Sequence, residues 1–309
     1  MRSRELDVGE EFRITLNEYN LESNKLLICF SEQGGGMKPE GFGSRACKKY
    51  GWNQIYVGKA PHTRYRTMNI ERFVKAVDPV LSGLDVMCYG TSLGGYAALY
   101  YGGSINARIL AASPRMPGHP LVQNEAASIE DFAHHVNLSA VPLSIHTPYV
   151  VYDNRQNQDH KLVQRWLKPA YPSVKSLIVP RSGHKSLQRL LDYGTLSRML
   201  RMFVDREDID RECIRAADGT LDRKVDNAFD AFEDGNFCLA ADLFDELATS
   251  MPDSHSIGMY AASVIKSEDA RCLINFRHHI EKESFSILNL RGLNKNLVAE
   301  ARGLRRPRG

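Results

Sequence analysis

The sequence predicts an α/β fold, a mostly parallel sheet with helices on both faces, followed by a small all-α domain of helical-repeat-like character. Three observations carry this. Short apolar runs alternate with longer amphipathic ones from about residue 11 to residue 205, and strands without polar alternation belong in a sheet covered on both sides. Strand signals vanish past Asp205, where charges cluster up to Glu212. Beyond them, a helical window opening at Leu221 carries small and aromatic residues at fixed offsets. Residues 1–205 are therefore expected to form the sheet domain, and 206–309 the helical one with its basic tail.

The elements follow in order. Residues 11–16 (EFRITL) and 25–30 (KLLICF) read as strands, the second running into the glycine loop Ser31-Glu32-Gln33-Gly34-Gly35-Gly36. Residues 53–57 (NQIYV) are a third. Residues 70–81 place Ile70, Phe73, Val74, Val77 and Leu81 on one helical face. A strand at 84–89 (LDVMCY), a helix at 93–101 and a strand at 107–112 (ARILAA) come next. Two more strands, 148–152 (PYVVY) and 174–179 (VKSLIV), flank a helical pattern at 161–167. Residues 116–145 break the rhythm and read as an insertion on the carboxyl side of the sheet. In the tail, with Leu221 as position 1, Ala228, Gly235, Phe237, Ala240, Phe244 and Pro252 fall at positions 8, 15, 17, 20, 24 and 32. This spacing resembles a tetratricopeptide repeat, and the next frame is degenerate, keeping Ala262 but replacing the glycine with Asp269. One repeat cannot bury its own face, so the tail must pack on neighbouring helices or on the first domain, and a plain helical bundle is the alternative reading.

Composition excludes several classes. With 43% hydrophobic and 25% charged residues and a mean hydropathy of −0.36, the chain is ordinary for a globular protein. A formal charge of +3 is too small to imply nucleic acid, and the arginine-rich stretch at 302–308 reads as a solvated, mobile end. The first 16 residues lack an apolar core of signal-peptide length, and about 18 apolar residues never run together, so no membrane span is expected. Six cysteines without C-x-x-C spacing read as free thiols in a reducing, cytoplasmic setting.

The chemistry centres on Gly90-Thr91-Ser92-Leu93-Gly94. A bare Gly-x-Ser-x-Gly is weak evidence, and an inert serine in a glycine-rich turn is the plain alternative. Context decides, because LDVMCY precedes the motif and LGGYAALYY follows it, giving the strand-turn-helix that lifts a hydroxyl above a sheet edge. A serine hydroxyl is a poor nucleophile near neutral pH and needs a base, which in turn needs an orienting acid. His184, after Gly183 in the loop leaving SLIV, is where the base belongs. His134 and His135 fall in the insertion, His160 at a helix start, and His278 and His279 in the tail. The acid should lie just after PYVVY, where Asp153 abuts the strand and Asp159 closes the loop. Asp159 is favoured because the acid must reach sideways, although an N-cap role would also suit it, and Asp153 stays open as its rival.

With GTSLGG around Ser92, the loop VYDNRQNQD and the SGH of His184, residues 11–205 resemble the α/β-hydrolase superfamily. The resemblance implies Ser92 as nucleophile, His184 as general base and then acid, and Asp159 as orienting carboxylate. It also implies an oxyanion hole from the backbone N–H of Leu93 and a second donor near Glu32 or Gln33. Many esterases have His-Gly where this chain has Ser31-Glu32, which leaves the second donor open. The implied activity is a serine esterase acting through an acyl-enzyme on an ester or thioester of a small molecule or carbohydrate, or an acyltransferase with a sugar or alcohol acceptor. The elbow YGTSLGGYAALYYG with its following ASPR also resembles hydrolase-like domains among bacterial surface-polysaccharide enzymes, which points to carbohydrate O-acyl groups. A catalytically inactive scaffold whose helical tail binds a protein partner is the reading from another class.

No cofactor or metal is expected. Gly90-x-Ser92-x-Gly94-Gly95 lacks dinucleotide-binding spacing, and neither adjacent histidine pair has an i, i+4 partner histidine. Arg115, the tyrosines 96, 100 and 101, and the basic, aromatic loop at 60–66 are the positions where substrate contact competes with plain packing or solvation.

Overall fold

A computed structural model describes residues 2–122, 132–250 and 254–281. The chain divides into two compact units, the first ending at Arg215 and the second beginning at Ala216. The first unit holds one eight-stranded sheet in the order β1-β2-β4-β3-β5-β6-β7-β8. Its strands are β1 (Arg2–Val8), β2 (Phe12–Glu18), β3 (Lys25–Phe30), β4 (Asn53–Lys59), β5 (Asp85–Thr91), β6 (Arg108–Ala112), β7 (Tyr149–Tyr152) and β8 (Lys175–Ile178). β1 and β2 are antiparallel to their neighbours, and the six strands from β4 to β8 run parallel.

Period-two alternation sends β3 side chains to both faces, and both are buried. Leu26, Ile28 and Phe30 enter a core with Phe73 of α2 (Ile70–Val77) and Tyr101 of α3 (Leu93–Gly102). Leu27 and Cys29 face the other core, with Cys47 of α1 (Ser44–Tyr50), Leu190 of α6 (Ser186–Asp192) and Phe203 of α7 (Leu196–Val204). All six cysteines are free thiols. Among the described residues, no helix is long and apolar enough to cross a membrane.

Three local differences from the sequence reading have physical causes. The expected helix at 70–81 stops at Val77 and gives way to a single tight turn, Asp78–Val80, because Pro79 has no N–H to continue the ladder. The expected helix at 161–167 starts earlier, as α4 (Asn157–Leu162), widens into a π-turn at Val163–Leu167 and ends as α5 (Lys168–Ala170), which contains Pro169. Beyond residue 205, Ile209, Cys213 and Ile214 still fill the second core, so the sheet unit runs to Arg215.

The second unit contains α8 (Leu221–Glu233), α9 (Phe237–Ser250), α10 (Ser254–Ser267) and α11 (Ala270–Glu281). Its core includes Ala228, Ala240, Phe244, Tyr260 and Phe276. Pro252 and the arginine-rich stretch at 302–308 lie outside the described residues.

Candidate functional site

The carboxyl end of β5 turns sharply into α3 at Ser92, whose φ of 56° and ψ of −123° are strained for a residue with a Cβ. Tight packing enforces the turn. A Cβ on Gly90 would lie 2.1 Å from the Gly94 carbonyl oxygen, and one on Gly94 would lie 2.4 Å from that of Phe30. The strain lifts the Ser92 side chain clear of the sheet, where its Oγ stands 2.8 Å from His184 Nε2.

The His184 ring is held from behind. Its Nδ1 lies 2.8 Å from Asp159 Oδ2, and the Asp159 carboxylate is fully buried. Asp159 sits in the first turn of α4, where the side chain of Gln156 is the N-cap and accepts from Gln158 N–H. Asp159 is thereby free of the capping job that its position suggested. Its other oxygen, Oδ1, accepts from Arg115 Nε at 2.8 Å. This contact was missed in the sequence, because a partner 44 positions away leaves no local pattern. Arg115 is also tied to the turn at Ser92 by its backbone N–H, which donates to the Ser92 carbonyl at 3.1 Å.

Asp153 does different work. It is buried at the end of β7, where Oδ1 accepts from Arg155 N–H and Oδ2 from Gly183 N–H, each at 2.9 Å. It stitches the His184 loop to the sheet, and the carboxylate facing the imidazole is that of Asp159.

Leu93 is the first residue of α3, so its N–H belongs to the set that has no intrahelical acceptor. The loop after β3 lies against this turn, since a Cβ on Gly94 would also stand 3.2 Å from the Ser31 carbonyl oxygen. Within that loop, Glu32 O accepts from Gly35 N–H at 3.1 Å, and Gln33 O accepts from Lys59 Nζ at 3.0 Å. Lys59 is fully buried at the end of β4, and burial lowers its pKa. Nothing in the sequence marked Lys59 as the anchor of the Glu32–Gln33 loop.

The tyrosines of α3 are packing groups. Tyr96 and Tyr101 are fully buried, and Tyr96 stacks on Trp166 at 4.5 Å. Burial pushes the pKa of both His119 and His134 down to about 4, so both rings are neutral near pH 7. Among the described residues, the thiol and carboxylate groups close enough to share an ion are Cys238, Asp269 and Cys272. Hydrogen bonds account for Asp269 there, since Oδ1 accepts from Arg271 N–H at 2.8 Å and Oδ2 from Cys238 Sγ at 3.7 Å.

No family model and no curated protein matches this chain. Among solved structures it is similar to Est1E from Butyrivibrio proteoclasticus, at 10% identity over 66% of this chain and 99% of that one, with a TM-score of 0.44. It is similar to α/β-hydrolase domain-containing protein 10 from mouse, at 12% identity over 67% and 99%, with a TM-score of 0.45. A third likeness is to an α/β serine hydrolase without a lid from Xanthomonas campestris, at 14% identity over 66% and 94%, with a TM-score of 0.43. The functional reading rests on this chain's own turn at Ser92 and the distances around it.

Proposed function

We propose that the chain is a serine hydrolase of the α/β-hydrolase type, cleaving an ester or thioester through an acyl-enzyme. One observation carries the reading: a continuous relay from Ser92 Oγ through both His184 nitrogens to a buried carboxylate, with each step at 2.8 Å. In this mechanism Ser92 Oγ attacks the carbonyl carbon while His184 Nε2 takes its proton. Asp159 stabilises the imidazolium and fixes the ring. The tetrahedral oxyanion is met by Leu93 N–H and by an amide of the Glu32–Gln33 loop. Collapse breaks the bond to the leaving alcohol or thiol, which receives the proton from His184. Water then attacks the acyl-enzyme with His184 again as base, releasing the acid and restoring Ser92. The second unit, with small buried residues at Ala228 and Ala240, is read as a repeat-like module for a protein partner.

A fluorophosphonate probe tests the reading. Wild-type protein should be labelled at Ser92 and the Ser92→Ala variant should not. Folded wild type that stays unlabelled near neutral pH would defeat the hydrolase in favour of a scaffold.

A further inference from the structure

Two guanidinium groups on the same rim take no part in the relay. β4 ends at Lys59 and β6 at Ala112, and both run parallel to β3 and β5, which lie between them in the sheet. The loops leaving β4 and β6 therefore rise from one carboxyl edge, on either side of the strands that deliver Ser31 and Ser92. They meet around a cavity of about 150 Å³ lined by Arg64, Arg66, Met116, Gly118, Phe132 and His134. Hydrogen bonds connect both walls to the nucleophile region. The Tyr65 hydroxyl donates to the Ser31 carbonyl at 2.7 Å, and Arg115, the neighbour of Met116, donates its N–H to the Ser92 carbonyl.

Among the described residues, the lining carries one sign of charge. Arg64 is half-buried and Arg66 exposed, and among the described residues neither makes an ion pair with a carboxylate. Gly118, at φ +80°, leaves space for Arg64, whose Nη1 would lie 2.8 Å from a Cβ placed there. His134 forms a flat wall, stacked on Tyr100 at 4.5 Å with its Nδ1 3.3 Å from the Tyr96 hydroxyl. Met116 and Phe132 supply apolar surface. A planar guanidinium fork matches a carboxylate, and the volume suits a short carbon arm rather than a long acyl chain.

We infer that this cavity binds a carboxylate belonging to the substrate, so that the preferred ester carries an acid group on a short apolar arm, held by Arg64 and Arg66. The inference rests on the serine-hydrolase reading for its chemistry.

Matched pairs of substrates test it: 4-acetoxybenzoate against 4-acetoxybenzamide, with the acid on the alcohol side, and monophenyl succinate against phenyl succinamate, with the acid on the acyl side. In at least one pair, wild type should favour the acid by about tenfold or more in kcat/KM. That preference should fall to near unity in the Arg64→Met/Arg66→Met variant, while turnover of the neutral partner and labelling of Ser92 stay unchanged. Calorimetric titration of both acids into Ser92→Ala gives a readout that needs no turnover, and binding of the preferred acid should disappear when the two arginines are also replaced. Intact labelling with no acid preference in either pair, or with a preference that survives the double variant, would overturn the inference. Calorimetric binding that depends on the arginines in a protein that is never labelled would keep the carboxylate site and overturn the hydrolase reading instead. Absence of binding in both titrations would overturn the site outright.

Discussion

A carboxylate in an ion-paired cluster lies near each end of strand β5, and the two differ in their partners. At its amino end, Asp85 is nearly buried and accepts from Lys25 Nζ and Arg108 Nη2 at 2.9 Å and from Arg206 Nη2 at 2.8 Å. At its carboxyl end, beyond Ser92, Asp159 shares its oxygens between Arg115 and His184. Three permanent cations take up the oxygens of Asp85, and the one titratable ring nearby among the described residues, His146, makes no hydrogen bond to it and has its pKa lowered by burial and by Arg206 and Arg108. Asp159 gives one oxygen to a fixed cation and the other to a ring that, in the proposed mechanism, gains and loses a proton in each cycle. Burial and ion pairing are common to both. The titratable partner separates a site that can do chemistry from one that only holds strands together.

The sharpest way to break this contrast is Asp159→Asn, which keeps the shape but removes the charge behind the imidazole. Turnover of an activated ester should fall by about 10³ to 10⁴, with the thermal midpoint little changed. Asp85→Asn should leave turnover within about twofold. Equal losses of activity in the two variants would erase the distinction.

Asp85→Asn should instead lower stability. Burial alone would raise the Asp85 pKa, but hydrogen bonds from Arg206 and Lys25 and the charge of Arg108 outweigh it and bring the carboxyl down from 3.8 to about 2. A pKa depressed by folding stabilises the protein above the unfolded value. That contribution, about 2 kcal/mol and less where exposed Arg206 is screened by solvent, is lost as pH falls from about 4 to about 2. Denaturant unfolding should show wild type more stable than the variant at pH 7, with the two curves converging toward pH 2. A constant gap across that range would mean that the ion cluster acts through packing.

Much of this site was legible because its key residues sit at turns with their own local syntax. Ser92 is announced by glycines that sterics demand, and His184 by the glycine-containing loop that leaves an apolar strand. Which aspartate faces the imidazole depends on where α4 starts and which side chain caps it, and that Gln156 takes the cap is visible only in three dimensions. Arg115 and Lys59 work through partners distant in sequence, so neither leaves a periodic trace. β1 escaped for the opposite reason. It is an exposed, charged edge strand held by backbone pairing with β2, and it shows no apolar alternation.

A smaller effect is expected at Arg115. Arg115→Gln removes the fixed charge from Asp159 while keeping a hydrogen-bond donor, so the carboxylate should be less firmly aimed. The expected result is a fall in kcat of about tenfold with KM nearly unchanged, and partial recovery in Arg115→Lys. A rise in KM alone would make Arg115 a substrate contact instead of a positioning residue.

The smallest change is expected at Asp153, whose two oxygens hold Arg155 and Gly183. Asp153→Asn keeps one acceptor oxygen, so one of these two amide donors loses its carboxylate partner. Gly183 directly precedes His184, and a loosened loop lets the imidazole drift without cutting it off from Asp159. A single weakened hydrogen bond predicts a loss of about threefold in kcat, far below that for Asp159→Asn. Should the two substitutions cost the same in steady-state assays, the division of roles between the two carboxylates would fail.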